Sequence, residues 1–67
     1  LNHYELLGVD KKATEQEIGR AFRQKSMDCH PDKFPNDAAK AAEMKALSQA
    51  KTMLLDPAQR ETYDKSL

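Results

Sequence analysis

Hydrophobic positions between Thr14 and Cys29 recur at the spacing of an α-helix. Ile18, Phe22 and Cys29 fall on one stripe of a helical projection, and Lys25 lies within the same stripe. A lysine can persist there only by burying its aliphatic stem and sending its ammonium group to water. The pattern therefore predicts a helix from Thr14 to about Cys29 with an imperfect apolar face.

Both ends of this helix are marked in the sequence. Thr14 is a good N-cap, and Glu17 stands where its carboxylate can complete a capping box. Pro31 ends the helix because proline disfavours helical geometry at the residue before it. A second proline, Pro35, keeps residues 30–36 out of regular structure.

A second long helix is predicted after this loop. Either Asn36 or Asp37 caps it, and it runs from Ala38 to about Leu55. Its predicted buried stripe contains Met44, Leu47, Ala50 and Leu54, with Lys51 at the edge.

Short helices are predicted at both ends of the chain. One covers Leu1 to Val9, with Gly8 as its C-terminal stop. The other opens at Asp56-Pro57, a cap followed by a proline at the first helical position, and ends near Tyr63-Asp64. Short connections favour antiparallel neighbours, so the pattern predicts an all-α fold built on a two-helix hairpin.

Length and charge narrow the class of protein. A chain of 67 residues allows one domain, here 1–67, and the start at Leu1 indicates a domain excised from a longer protein. Eleven basic and eleven acidic residues cancel, which gives no general reason to expect nucleic acid or a membrane as partner. The single cysteine excludes an internal disulfide and suits a reducing compartment, so we expect a cytoplasmic protein. We also expect a monomer.

The loop His30-Pro31-Asp32-Lys33 is the most informative segment. It places an imidazole, a rigid ring and a carboxylate at the exposed tip of the predicted hairpin. Pro31 restricts the backbone, so the polar side chains need little ordering on binding. The Asp32 carboxylate can accept a bidentate hydrogen bond from a partner's arginine.

The outer face of the first long helix is cationic. Arg20 and Arg23 lie opposite the apolar stripe together with Gln24 and Met27, and Lys33 follows in the loop. These cations can steer the domain onto an acidic surface. Each arginine alone could equally be an ordinary solvated residue.

Other chemistry is possible for the same segment. Cys29 and His30 could form a thiolate–imidazole pair, although adjacent residues are rarely oriented for it, and a small buried cysteine is favoured. Cys29, His30, Asp32 and the distant His3 could hold a metal, but their spacing matches no common zinc pattern. Phe34 could either brace the loop from below or sit exposed as a contact.

The order and spacing of these motifs resemble a J-domain over nearly the whole chain. A lone His-Pro-Asp tripeptide would be weak support, but between two helices and with its flanking motifs it is specific. The motifs that carry the resemblance are Tyr4–Val9, Glu17-Ile18, Ala21–Arg23, His30–Lys33, Asp56-Pro57 and Arg60 with Tyr63-Asp64.

The resemblance implies a non-enzymatic co-chaperone without a cofactor or metal. Such a domain would dock on a DnaK-type (heat-shock 70 kDa) chaperone and stimulate its ATP hydrolysis, which promotes client capture. Asp32 would engage a partner arginine, while His30 and Pro31 would hold the loop and contact the chaperone's linker region. Clients would bind regions outside this chain.

The resemblance also implies roles for residues beside the tripeptide. Arg20 and Arg23 would supply charge complementarity, Phe22 an aromatic contact, and Lys33 with Phe34 the flank of the loop.

Three positions qualify this interpretation. Members of the family usually carry basic residues where this chain has Gly19 and Gln24, and leucine where it has Lys25. A degenerate J-like scaffold that no longer stimulates a chaperone is therefore a second possible function, and a small helical nucleic-acid binder is a third.

Residues 29–33 and 49–51 resemble small cytosolic class C J-proteins, some of which assist aromatic amino-acid hydroxylases.

Overall fold

Helices are the only regular structure in residues 2–67, the part of the chain that the computed structural model describes. The all-α fold class is thus confirmed. Leu1, where the first predicted helix begins, lies outside the described residues. The four helices are α1 (His3–Leu7), α2 (Glu15–Met27), α3 (Ala38–Leu55) and α4 (Pro57–Ser66).

Each helix begins at a side-chain cap. Asn2, Thr14, Asp37 and Asp56 accept hydrogen bonds from backbone N–H groups in the first turns of α1 to α4. At α2 the predicted capping box is present, because Glu17 Oε1 accepts from the Thr14 N–H at 2.8 Å and Thr14 Oγ1 accepts from the Glu17 N–H at 3.1 Å. The cap of α3 is Asp37, which decides between the two predicted candidates.

The two long helices form an antiparallel hairpin. Near the loop, the Cys29 sulfur lies 4.0 Å from the sulfur of Met44. Further along, the Lys51 ammonium lies 4.4 Å from the centroid of the Phe22 ring. The residue numbers fall along α2 as they rise along α3, which is the register of a hairpin.

The buried face of α2 differs from the prediction at one position. Lys25 is exposed, and Ser26 is buried in its place, with its hydroxyl donating to the Arg23 carbonyl at 2.9 Å. The exposure of Lys25 fits the prediction that its ammonium group reaches water, whereas the burial of Ser26 was not predicted. The stem of Lys25 runs beside Gly8, where a methyl group on the glycine Cα would meet Lys25 Cε at 3.4 Å. A small hydroxyl bonded to its own helix is easier to bury than an ammonium group.

The core lies where α1 and the connection before α2 close over the hairpin. On α3 the predicted stripe is buried at Leu47, Ala50 and Leu54, whereas Met44 is only half-buried. The buried hydrophobic residues are Tyr4, Leu7, Ala13, Ile18, Cys29, Leu47, Ala50 and Leu54.

None of the helices in residues 2–67 has the length and apolar character needed to cross a bilayer.

The two short helices are joined by a polar cluster around Tyr4. The buried Tyr4 hydroxyl donates to Asp64 Oδ1 at 2.5 Å and accepts from Arg60 Nε at 3.1 Å. Nearby, the Tyr63 hydroxyl accepts from the His3 N–H at 2.8 Å. Burial, and then the hydrogen bond to Asp64, raise the pKa of Tyr4 above its ordinary value.

Arg60 extends this cluster to the start of α2. Its Nη2 donates to the carbonyls of Lys11 at 3.0 Å and Ala13 at 2.7 Å. One guanidinium therefore holds α1, the α1–α2 connection and α4 together. Arg60 belongs to one of the motifs that the sequence singles out, but the sequence predicted none of these contacts.

Replacing Tyr4 should test this cluster. In Tyr4→Phe, Asp64 and Arg60 lose a partner, so we expect the free energy of unfolding to fall by about 1–2 kcal/mol in a urea titration followed by circular dichroism. Tyr63→Phe is the control, since it removes one hydrogen bond from a half-buried residue and should cost less. An unchanged urea midpoint for Tyr4→Phe would show that the cluster does not stabilise the fold.

The same hydroxyl gives a pH dependence of defined sign. Because the folded-state pKa of Tyr4 is raised above its ordinary 10.0, the folded protein holds this proton more tightly than the unfolded chain. The contribution of this hydroxyl to stability is complete below the ordinary pKa of 10.0 and is lost as the pH rises through the folded-state pKa. Urea midpoints measured across this alkaline range should therefore fall more steeply for the wild type than for Tyr4→Phe.

Candidate functional site

The tripeptide between α2 and α3 forms a single tight turn. The His30 carbonyl accepts hydrogen bonds from the N–H groups of Lys33 and Phe34, both at 3.0 Å. His30 Nδ1 accepts from the Asp32 N–H at 3.2 Å. A neutral imidazole that accepts through Nδ1 carries its proton on Nε2, so that N–H is available to a partner.

The Asp32 carboxylate points into solvent at the tip of the hairpin. Its side chain is 92% exposed, and one carboxylate oxygen lies 3.6 Å from His30 Nδ1. The His30 side chain is 46% exposed. The tip is therefore accessible to a guanidinium from another protein.

The chain then reverses into α3 through an unusual backbone conformation. Asn36 has a φ of 66°, in the left-handed region that asparagine tolerates better than most residues. The next N–H, that of Asp37, donates to the Phe34 carbonyl at 3.4 Å. The loop is thus tied to the capped start of α3.

Phe34 lies partly beneath the loop. The residue is 36% exposed, and the Lys40 ammonium lies 5.0 Å from the centroid of its ring. The ring also lines a cavity of about 280 Å³ together with Cys29, Pro31 and Ala41. Phe34 is therefore exposed at the flank of the loop, and both of its possible roles, as a brace or as a contact, stay predictions.

The predicted cations are exposed on α2. Arg20 and Arg23 border a shallow notch at Gly19, where a Cβ on the glycine would meet no heavy atom within 4 Å. Met27 is 56% exposed and lies on the same face, four positions after Arg23. The sequence placed Met27 there but gave it no role, and its exposure is what makes it a candidate contact.

Phe22 does not join the exposed cations. Its ring is half-buried against the core, and Lys51 of α3 covers it. The fold therefore brings Arg20 and Arg23 together on one face and places Phe22 at the seam between the two long helices.

Cys29 is a packing residue. It is 1% exposed, and its thiol donates to the Lys25 carbonyl at 3.6 Å. Burial, as the largest cause, raises the pKa of the Cys29 thiol and so disfavours the reactive thiolate. In the part of the chain that the structure describes, no three metal-binding side chains gather, and His3 stacks on Tyr63 with ring centroids 4.5 Å apart.

The state of this thiol can be measured directly. We expect Cys29 to react with a disulfide reagent such as dithionitrobenzoate at least about tenfold more slowly in the native protein than in denaturant. The control is Met27→Cys combined with Cys29→Ala, which places one thiol at an exposed position of the same helix. Equal native rates for the two proteins would contradict a buried Cys29.

The chain is similar to known proteins along nearly its whole length. The family model described as DnaJ domain matches residues 2–64. The chain belongs to the DnaJ domain family. This J-domain is 47% identical over 62 residues to DnaJ homolog subfamily C member 17 of Homo sapiens, a match that covers 92% of this chain and 20% of that protein.

Two further relatives support the same family assignment. Chaperone protein DnaJ of Salinibacter ruber is 41% identical over 63 residues, which is 94% of this chain and 16% of that protein. The crystal structure of the J-Trx1 fragment of ERdj5 superposes with a TM-score of 0.90 at 38% identity, covering 97% of this chain and 31% of that one. The J-domain therefore spans about a fifth of the length of these curated relatives or less.

These comparisons confirm the predicted family and support a DnaJ-type co-chaperone role. The likeness to a subfamily C member gives weak support to the class C interpretation. The assignment of individual binding residues stays a prediction.

Proposed function

We propose that this J-domain docks on a DnaK-type chaperone and stimulates its ATP hydrolysis, which promotes client capture during protein folding. The observation that carries the proposal is the exposed carboxylate of Asp32 on a turn closed by its own hydrogen bonds. That carboxylate suits a partner arginine, with which it can form two parallel charge-assisted hydrogen bonds.

The turn reduces the entropic cost of that contact. Pro31 fixes one backbone angle, and the His30 carbonyl holds the N–H groups of Lys33 and Phe34. A preordered tip loses little conformational freedom on binding, so more of the interaction energy remains as affinity. His30 adds a donor at Nε2 beside the carboxylate, and Pro31 adds a rigid apolar surface.

Local charge supports the docking face even though the chain as a whole is neutral. Arg20, Arg23 and Lys33 are exposed on α2 and on the loop, and Asp28 between them offsets part of their charge. Exposed cations of this kind raise the rate of encounter with an acidic surface more than they raise affinity. Lys33 and Phe34 would flank the contact, and Phe22 would supply an aromatic contact from the seam between α2 and α3.

The chemical step would belong to the chaperone. A docking domain can accelerate hydrolysis only by binding the hydrolysis-competent state of the chaperone more tightly than the other state. On this proposal the J-domain is not an enzyme and carries no cofactor. It acts as a monomer in the cytoplasm, without nucleic-acid or membrane contact, and clients bind regions outside it.

One observation favours the alternative of a scaffold that does not stimulate hydrolysis. Gly19 leaves an open notch, and Gln24 is an exposed neutral residue, so two positions of the docking face lack charge. A wild-type domain that fails to stimulate a panel of DnaK-type chaperones, yet still binds one of them, would support this alternative.

Neutralising the tip carboxylate tests the main proposal. We expect Asp32→Asn to reduce stimulation in a steady-state ATPase assay almost to the basal rate, a loss equivalent to about 2 kcal/mol or more of docking free energy. Its circular dichroism and melting temperature should stay the same, because the carboxylate is exposed.

Asp28→Asn is the matched control for this substitution. It removes an exposed carboxylate four residues earlier, at the end of α2, and should leave stimulation equal or slightly higher. If Asp32→Asn stimulates as well as the wild type, the tip is not the docking element.

Reversing one cation tests the face of α2. We expect Arg23→Glu to slow association with the chaperone about three- to tenfold at low salt and to weaken its salt dependence. Stopped-flow measurements at several ionic strengths would show this, with Lys65→Glu on α4 as a control for the change in net charge. An unchanged association rate for Arg23→Glu would place the docking face elsewhere.

A further inference from the structure

Lys40 stands at a position where a cation is unfavourable for its helix. It is the third residue of α3, in the first turn, where the unsatisfied N–H groups present partial positive charge. The equivalent position of α2 carries Glu17, whose carboxylate completes a capping box. A lysine in this position therefore needs a compensating contact if it is to stabilise the protein.

The contact that the structure shows is with the docking loop. The Lys40 ammonium lies 5.0 Å from the centroid of the Phe34 ring, within the range of a cation–π interaction. Its second contact, to Glu43 at 3.8 Å, is a partly exposed ion pair, which contributes little to stability. The Lys40 N–H also donates to Asp37 Oδ1 at 3.1 Å, which fixes the start of the side chain.

Phe34 is linked in turn to the tip. Its N–H donates to the His30 carbonyl at 3.0 Å, and its carbonyl accepts from the Asp37 N–H at 3.4 Å. Both of its backbone polar groups are therefore tied, one to the turn that presents Asp32 and the other to the cap of α3. The ring itself borders a cavity that Cys29, Pro31 and Ala41 also line.

We infer that Lys40 is a positioning residue for docking. By holding the Phe34 ring against the start of α3, its ammonium keeps the turn from His30 to Phe34 in one orientation and so presents Asp32 to the partner. The role in docking rests on the proposed function. The effect on the turn does not, because it belongs to the free domain.

Hydrogen exchange in the free domain tests the brace itself. In Lys40→Met, which keeps a long side chain without charge, the amides of Lys33 and Phe34 should exchange about two- to fivefold faster than in the wild type. Lys40→Arg keeps the cation over the ring and should restore wild-type exchange. Glu43→Gln removes only the ion pair and should leave the exchange unchanged.

The melting temperature separates this brace from ordinary stabilisation. Removing a cation from the first turn relieves its repulsion by the helix dipole, so Lys40→Met should melt at the wild-type temperature or above it. A general loss of stability would instead lower the melting temperature and speed exchange throughout α3. Unchanged exchange at Lys33 and Phe34 in Lys40→Met, or a uniform increase across α3, would overturn the inference.

A double-substitution cycle tests the effect on docking. Lys40→Met should raise the domain concentration needed for half-maximal ATPase stimulation about two- to fivefold, with little change in the maximum. In a Phe34→Leu background the same substitution should have no further effect. An effect of equal size in that background, decreasing with salt, would mean that Lys40 contacts the chaperone directly, and would overturn the inference.

Hydrogen exchange and ATPase stimulation distinguish a failure of the brace from a failure of the proposed function. If exchange changes as expected but the wild-type domain stimulates no DnaK-type chaperone, the brace stands and the proposed function falls. If stimulation is normal and Lys40→Met leaves the exchange at the tip unchanged, the proposed function stands and the brace falls.

Discussion

The packing of α2 against α3 is the constraint on which the remaining structure depends. The buried seam runs from Ile18 to Cys29 on one side and from Leu47 to Leu54 on the other. Cys29, at 1% exposure, is the last buried residue before the loop. Hydrophobic burial thus ends immediately before His30, and the polar residues of the tip are exposed to solvent. The orientation of the tip is therefore set by the direction of the seam.

Stability and recognition are placed at opposite ends of this hairpin. Tyr4, Asp64 and Arg60 join the short helices at the end where α2 begins and α3 stops. At the other end, Asp32 is exposed and its backbone is held by short-range hydrogen bonds. A substitution at one end can therefore change binding without unfolding the protein, or stability without changing the binding surface.

Local signals in the sequence predicted local structure well. Thr14 with Glu17 and Asp56 with Pro57 marked helix starts, because a cap depends on residues only a few positions apart. The burial of Ser26 was missed. The helical period brings both Lys25 and Ser26 near the edge of the stripe, and tertiary packing decides which of the two is buried. At the site, the exposed tip and cations were predictable, but contacts across the fold, such as Lys40 over Phe34, have no local signature.

The turn at the tip is self-contained, and this makes it portable. The hydrogen bonds that shape it join His30, Asp32, Lys33, Phe34 and Asp37, so its geometry is encoded in one short stretch of chain. What it needs from outside is a pair of antiparallel helices with suitable separation at their ends, and a cation at the position of Lys40 to hold the Phe34 ring. A designed helical hairpin of that separation is therefore a scaffold onto which this recognition element can be grafted.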